Sequence, residues 1–375
     1  IAGIAMRTKT RRVVKSKSMV SEEVHLNASL AQHGIDVVET DLGEYIVQLR
    51  DDRPSHIIAP IIHLTRQDVG RVMHERLDVP YTDDPQALAA VARARLRAEF
   101  LRADMGISGA NFGVADTGTI VLVTNEGNAR MVTTLPRVHV VLMGIEKLIA
   151  SLQDLDQCLK VLARSGTGQK LTVYTTMVRG PRKPGDADGP EELHVVLLDN
   201  GRSRMLAGET AEILGCIRCG ACQNACPVYR SIGGHAYGDT YAGPIGAIVT
   251  PGLRGLRQWS ELPHASSLCG ACRDVCPVRL DIPRMLLALR HEAVKQNAPS
   301  KSRALAATMK SFAWVATRPR LYRALAREGR GALRLFAAGG WIAKLPGPGR
   351  RWTASRDLKA PPVRSFQTQW RKTKP

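Results

Sequence analysis

Over residues 1–203, short apolar runs alternate with stretches of helical period, a pattern that predicts an α/β sheet layered by helices. Residues 1–20 read as the end of one helix leading into a short strand. Ser21 is the expected N-cap of a helix that stops at Gly34, with Glu22 and Glu23 at its positive end. Ile35–Glu39 (I-D-V-V-E) is expected as a buried strand. Residues 43–49 (G-E-Y-I-V-Q-L) fit a second extended segment or a short helix, and 55–63 (S-H-I-I-A-P-I-I-H) an apolar strand broken at Pro60. Alanine, leucine and arginine at helical spacing predict a long helix from Pro85 to Ala103. Glycines 106, 109, 113 and 118 then lead into the apolar strand Thr119–Thr124 and a turn at Asn125–Asn128. A buried strand from His139, a helix over 145–163, and the strands Leu171–Thr176 and Leu193–Leu198 around a Pro/Gly-rich loop at 180–190 complete the sheet.

The pattern changes after residue 203. A linker at 204–215 enters a second domain, 204–298, whose centre, Ser231–Gly246, is a glycine-rich crossing between two cysteine runs. Ile282–Lys295 reads as an amphipathic helix. A third region, 299–375, is helical in pattern to about residue 345, then Pro-rich, basic and expected to be irregular.

Composition narrows the class. A chain of 375 residues has room for two or three domains, and 44% hydrophobic with 23% charged residues is ordinary for a globular protein. No run approaches the ~18 apolar residues that span a bilayer, and no secretory leader pattern is visible. The opening at Ile1 inside a structured pattern suggests a first domain that lacks its start. The net charge of +19 is concentrated at the ends. Residues 301–375 carry 18 lysines and arginines against Glu328 and Asp357, and residues 1–20 carry six basic residues and no acid. Such a tail suits an anionic membrane surface, an acidic partner or nucleic acid. Trp314, Tyr322, Phe336 and Trp341 fall on amphipathic helices rather than a stacking platform, so surface or subunit docking is preferred to nucleic acid.

The chemistry lies in the cysteines. Seven of the eight fall in two runs: Cys216, Cys219, Cys222 and Cys226 before Pro227, and Cys269, Cys272 and Cys276 before Pro277. The first run, C-x2-C-x2-C-x3-C-P, is the arrangement by which bacterial-type ferredoxins hold cubane clusters, with the fourth cysteine serving the other cluster. The second run has Ser266 where its first cysteine would stand. Crossed ligation gives one complete set, Cys216, Cys219, Cys222 and Cys276, and one of three, Cys226, Cys269 and Cys272. The second site suits a [3Fe–4S] cluster, or a [4Fe–4S] cluster completed by Ser266, His264, water or a partner's ligand. Seven ligands do not divide into zinc sets of four, and disulfide frameworks belong to short secreted chains. Thiolate ligation favours a reducing compartment, hence a cytoplasmic protein.

Several stretches resemble one family. K-S-K-S-M-V-S-E-E-V-H-L-N, E-T-D-L-G-E-Y-I-V-Q-L, G-A-N-F-G-V-A-D-T-G-T, T-N-E-G-N-A-R-M, L-D-N-G-R and C-P-V-Y-R-S-I-G-G-H-A-Y-G are similar, in this order, to lactate utilization protein B sequences over about residues 10–298. The tail matches more loosely, through Trp352, Arg356-Asp357, Phe366 and Trp370. The resemblance implies an N-terminal domain similar to the sugar isomerase and CoA-transferase α/β fold, followed by a helical di-cluster ferredoxin domain. It implies two [4Fe–4S] clusters on the same seven cysteines. It also implies electron transfer, in a three-component complex, during oxidation of L-lactate to pyruvate, at the inner face of the membrane if the tail docks there. Service to another 2-hydroxy acid such as glycolate is the alternative within that chemistry, and a cluster-bearing nucleic-acid-binding or regulatory protein the alternative outside it.

Other candidates are weaker. Glu126, Asn128 and Arg130 suit an anion-binding turn, or simply a turn that sets strand register. Asp116, Asp199 and Arg202 form no recognisable catalytic set, and His235 and His264 read as surface or supporting histidines. Cys158 reads as a small buried residue. Gly106 and Gly109 precede a strand rather than a helix, so no flavin or nicotinamide fingerprint is present. No residue is expected to be catalytic, and the chain reads as an electron-transfer subunit.

Overall fold

The computed structural model describes residues 1–296 and 303–373, which belong to two compact units, 1–299 and 300–375. The expected boundary at 298/299 lies outside the described residues. Strands of the first unit are β1 (Arg12–Lys15), β2 (Asp36–Glu39), β3 (Met105–Ser108), β4 (Phe112–Val114), β5 (Thr119–Thr124), β6 (Val138–Gly144), β7 (Leu148–Ile149), β8 (Tyr174–Val178) and β9 (Glu192–Leu198). They form two sheets, where the apolar runs alone suggested one. The first has the order β2-β1-β3-β6-β9 and is parallel throughout. The second, β7-β4-β5-β8, is mixed, with β5 antiparallel to both neighbours. The last two predicted strands therefore part company: β9 closes the parallel sheet and β8 pairs with β5. Continuous apolar runs explain β3 and β6, buried at every position as parallel strands covered on both faces are.

Two of the polar side chains inside this core, His139 and Lys15, find partners there. His139 on β6 is 0% exposed, shares a hydrogen bond with the Ser108 hydroxyl at 2.8 Å, and is held near pKa 4 by burial. Lys15 on β1 is also 0% exposed and reaches Glu39 at 2.7 Å and Glu22 at 3.2 Å.

Several local expectations change for identifiable reasons. Ser18 rather than Ser21 caps the helix that follows β1, Met19–Glu23, and His25 in a left-handed conformation (φ 50°) separates it from Leu26–Ala31. Residues Leu42–Arg50 are helical. Residues 55–63 are turns, not a strand: the His56 ring accepts the Ile58 and Ala59 N–H groups, which leaves none for a ladder. A helix at Arg66–Leu77, opened by a Thr65/Asp68 capping box, was not anticipated, nor was Asn128–Thr134 after the expected turn. The helix placed at 145–163 is Leu152–Thr167, started by a Ser151/Asp154 capping box.

In the cysteine-bearing half, helix Gly243–Arg254, buried at almost every position, packs on helix Ile282–Lys295 to form the core. The former starts at the end of the stretch expected as a glycine-rich crossing, Ser231–Gly246, and runs on past it. Its glycines and prolines hide it from a propensity reading, and burial on all sides stabilises it instead.

A buried ion pair lies where the halves meet, and the cysteine-bearing half reaches it through Tyr241 and Arg254. Arg202, 1% exposed, donates from both terminal nitrogens to the Glu23 carboxylate at 2.8 Å each, and from Nε to Glu146 at 2.5 Å. Asn200 and Tyr241 also donate to the Glu23 carboxylate, and Arg254 to its carbonyl. Segment 53–60 is the second join: Tyr229 donates to the Ser55 carbonyl at 2.6 Å, and the Gln223 side chain accepts from Ile57 N–H. Gly234 passes so close to Ser55 that a methyl would overlap the Ser55 carbonyl. Gly234→Ala should therefore lower stability by about 1–3 kcal/mol, read as a lower thermal midpoint of iron-loaded protein. An unchanged midpoint would mean that this approach does not exist in solution.

In the second unit, helices Arg303–Ala316 and Pro319–Arg334 bear out the helical pattern, residues 300–302 lying outside the described residues. The helical pattern expected to about residue 345 stops at Arg334, so Phe336 lies in a turn and Trp341 on a strand rather than on helices. The tail expected to be irregular holds the other half of a two-residue hairpin, Trp341–Ile342 with Leu358–Lys359, and helix Phe366–Thr373. No helix among the described residues is long and apolar enough to cross a membrane.

Candidate iron–sulfur centre

The two cysteine runs fold as copies of one another. Each contains Cys-Gly-Ala-Cys, at 219–222 and 269–272, preceded by a left-handed residue, Arg218 (φ 62°) or Leu268 (φ 56°). The glycines are left-handed as well, at 76° for Gly220 and 89° for Gly270, a backbone that side-chain-bearing residues adopt only at a cost. Each glycine opens a short helix, Ala221–Ala225 or Ala271–Asp274, and a Cys-Pro pair follows. The two short helices pack on each other, so the end of each run approaches the start of the other.

This packing brings Cys276 to the first run. Cys216, Cys219, Cys222 and Cys276 line one cavity, walled by Ile217, Ile245, Leu280 and Ile282. Burial pushes the Cys219 and Cys222 thiols up, and neighbouring sulfurs add to it: Cys216 and Cys276 for Cys219, Cys216 and Cys219 for Cys222. Cys226, Cys269 and Cys272 form the other group. Cys272 is pushed up to about 11 by burial and by the charges of Cys226 and Cys269. Cys269, at the surface, is lowered by the Ala271 N–H and the Ser267 hydroxyl.

The donor set fits iron–sulfur clusters. Backbone N–H groups approach sulfur at 3.4 Å in three places, Arg218 to Cys216, Tyr229 to Cys226 and Leu280 to Cys276. Crowded, buried thiols of this kind lose their protons only against strong positive charge, which coordinated iron provides. Seven thiols in two packed runs suit polynuclear clusters rather than zinc sites of four ligands.

The serine-substituted corner is open. The Ser266 hydroxyl accepts the Leu268 N–H at 3.1 Å, and Arg290 holds the Ser266 carbonyl. His264 is exposed at the end of a 3-10 turn. His235 lies elsewhere, sharing a hydrogen bond with the Arg53 carbonyl and packing on His63. Cys158 is half-buried against the second sheet.

The remaining candidates separate. Asn128 is buried and donates to Thr40 and Asp41, while Arg130 is exposed and does not join it. Asp116 is exposed, Asp199 caps the turn at Ser203, and Arg202 is the interface cation described above. Glu126 lines a larger cavity of about 330 Å³ that lies against the first cysteine run, and Ile217 and Arg218 wall both cavities. Lys147, at 8% exposure, also lines it and donates to the Cys216 carbonyl at 3.0 Å. Sequence reasoning missed Lys147 and Arg218. The available signal was Arg218 itself, a cation inside a ligand run.

Known proteins share these features. A model described as the LUD domain matches residues 5–198, and one described as a 4Fe-4S dicluster domain matches residues 212–280. Lactate utilization protein B of Bacillus licheniformis is 46% identical over 98% of this chain and 77% of its own length. The same-named protein of Bacillus subtilis is also 46% identical, over 98% of this chain and 77% of its own. The electron transport protein YkgF of Escherichia coli K12 is 46% identical over 99% of this chain and 78% of its own. Among solved structures, a DUF162 family protein from Deinococcus radiodurans aligns with 52% of this chain and 90% of its own at 14% identity, with a TM-score of 0.24 too low to bear on the fold.

Proposed function

The chain belongs to the lactate utilization protein B family, and on that footing we propose that it carries electrons in the oxidation of L-lactate to pyruvate, as one subunit of a three-component assembly. The observation that supports this most is the meeting of Cys276 with Cys216, Cys219 and Cys222 in one cavity across the turn of the second run. In this reading those four thiolates hold one [4Fe–4S] cluster, and Cys226, Cys269 and Cys272 hold the other. Bound there, the clusters accept and release single electrons. The chain's own residues hold sulfur in place, donate N–H groups to it, and exclude water with Ile245, Leu280 and Ile282. The exposure of Cys269 makes the three-cysteine site the face open to a partner. The α/β half is taken as similar to the sugar isomerase and CoA-transferase fold, and the basic C-terminal unit as a docking region.

The test is EPR on anaerobically reconstituted full chain, with iron counted on the same sample. About eight irons, silence when oxidised and reduced-cubane signals after dithionite are expected. L-lactate with the two cognate subunits should replace dithionite. A [3Fe–4S] signal in the oxidised sample would mean that the Ser266 corner stays empty. Equal reduction by glycolate would move the reading to another 2-hydroxy acid, and a chain that takes up no iron would remove it.

A further inference from the structure

We propose that the 330 Å³ cavity beside the first cysteine run binds a small organic carboxylate, a 2-hydroxy or 2-oxo acid, through Lys147 and Arg218. The proposal rests on the electron-carrier reading, because it names where the acid meets the carrier.

The volume falls in the range of small-molecule sites. Of its three cations, Lys17 is engaged by the Ile58 carbonyl and Glu44, while Lys147 and Arg218 are under-used. The Lys147 ammonium has three donors, and the structure provides one acceptor, the Cys216 carbonyl. Arg218 Nη1 is buried without a hydrogen-bond partner. Arg218 Nη2 lies 3.5 Å from Glu146, whose other oxygen already accepts from Arg202. Within this network two carboxylates, Glu23 and Glu146, face three cations, Arg202, Arg218 and Lys147. An unpaired buried guanidinium N–H is costly, and a ligand carboxylate is the group that would satisfy it.

The remaining lining orients that ligand. Asp41 and Glu126 also line the cavity, so a carboxylate is repelled there and directed to Lys147 and Arg218. Asp41 is already engaged by the Lys17 N–H and Asn128. Leu122, Leu162 and Ile217 provide apolar wall for the ligand's body. Arg218 lies between Cys216 and Cys219, so a carboxylate on its guanidinium would sit one side chain away from the four-cysteine site.

The experiment is calorimetric titration of the iron-loaded full chain with L-lactate, pyruvate and, as a competitor, inorganic phosphate. Saturable binding of lactate or pyruvate is expected, weakened about tenfold or more in Lys147→Gln and Arg218→Gln, the loss of one charge-assisted hydrogen bond. Val123→Phe, which fills the cavity from β5, should abolish binding with iron content unchanged, so misfolding near the cysteines cannot mimic the result. Iron-loaded wild-type chain that binds neither acid would overturn the proposal and leave the carrier reading standing, since iron and EPR are read on the same sample. Phosphate binding as tightly as the acids would overturn the carboxylate assignment. A shifted cluster potential in both charge variants, with no binding by wild type, would assign the two cations to the cluster instead.

Discussion

Cys276→Ser should abolish the same EPR signal as Cys219→Ser, while Cys226→Ser should abolish the one lost in Cys272→Ser. Ligation within each run would pair Cys276 with Cys269 and Cys272, and Cys226 with the first run. The crossed ligation expected from the motif pairs them the other way, and in the structure Cys276 lines the cavity of Cys216, Cys219 and Cys222 while Cys226 raises the Cys272 thiol. Each variant should keep about four irons of about eight, the content of one four-iron cluster. Losses that grouped by run rather than across runs would show that each run holds its own cluster. Ser266→Cys provides the complementary arm, since a thiolate at the open corner should remove any [3Fe–4S] signal and leave the other cluster's signal unchanged.

Glu23→Gln should destabilise the protein by about 1.5–3 kcal/mol, the cost of weakening the charge-assisted hydrogen bonds of a buried cluster in which Arg202 keeps Glu146. Domain stabilities are about 5–15 kcal/mol, so this is a sizeable share of the whole. Burial pushes the Glu23 carboxyl up, but the Arg202 fork, Asn200 and Tyr241 more than offset it, and the group titrates below the usual carboxylate range. A folded-state pKa below the unfolded value stabilises above the unfolded pKa and ceases to do so as pH falls through the folded one. Wild type should therefore lose stability below about pH 4.5, where the unfolded carboxyl takes up its proton, and Glu23→Gln should lack that part of the acid slope. Urea unfolding at pH 7 and across the acid range measures both. A variant within about 0.5 kcal/mol of wild type would mean that the pair is not formed in solution.

Legibility differs by residue type. The Cys-Gly-Ala-Cys turns were readable because their geometry is local: a left-handed glycine and a proline stop are properties of adjacent residues. Strands β5 and β6 were readable because burial on the sheet leaves an apolar run in sequence, and β9 by its apolar run although Val195 and Leu197 on it are exposed. Helix Gly243–Arg254 was not, since its stability comes from contacts on every side and not from its own glycines and prolines. The capping box at Thr65 was visible in principle, as was the apolar spacing of Val69, Val72, Met73 and Leu77 behind it.

The sequence by itself determined the cluster chemistry, the α/β alternation and the family, because ligand spacing, hydrophobic period and motif order are all written between near neighbours. Only the tertiary structure decided that the strands divide into two sheets, that Glu23 and Arg202 pair where the halves meet, and that Lys147 and Arg218 share a cavity wall. The physical reason is distance along the chain. Glu23, Glu146, Arg202, Arg218 and Tyr241 come from separate elements, and a buried charge carries no local pattern that names its partner.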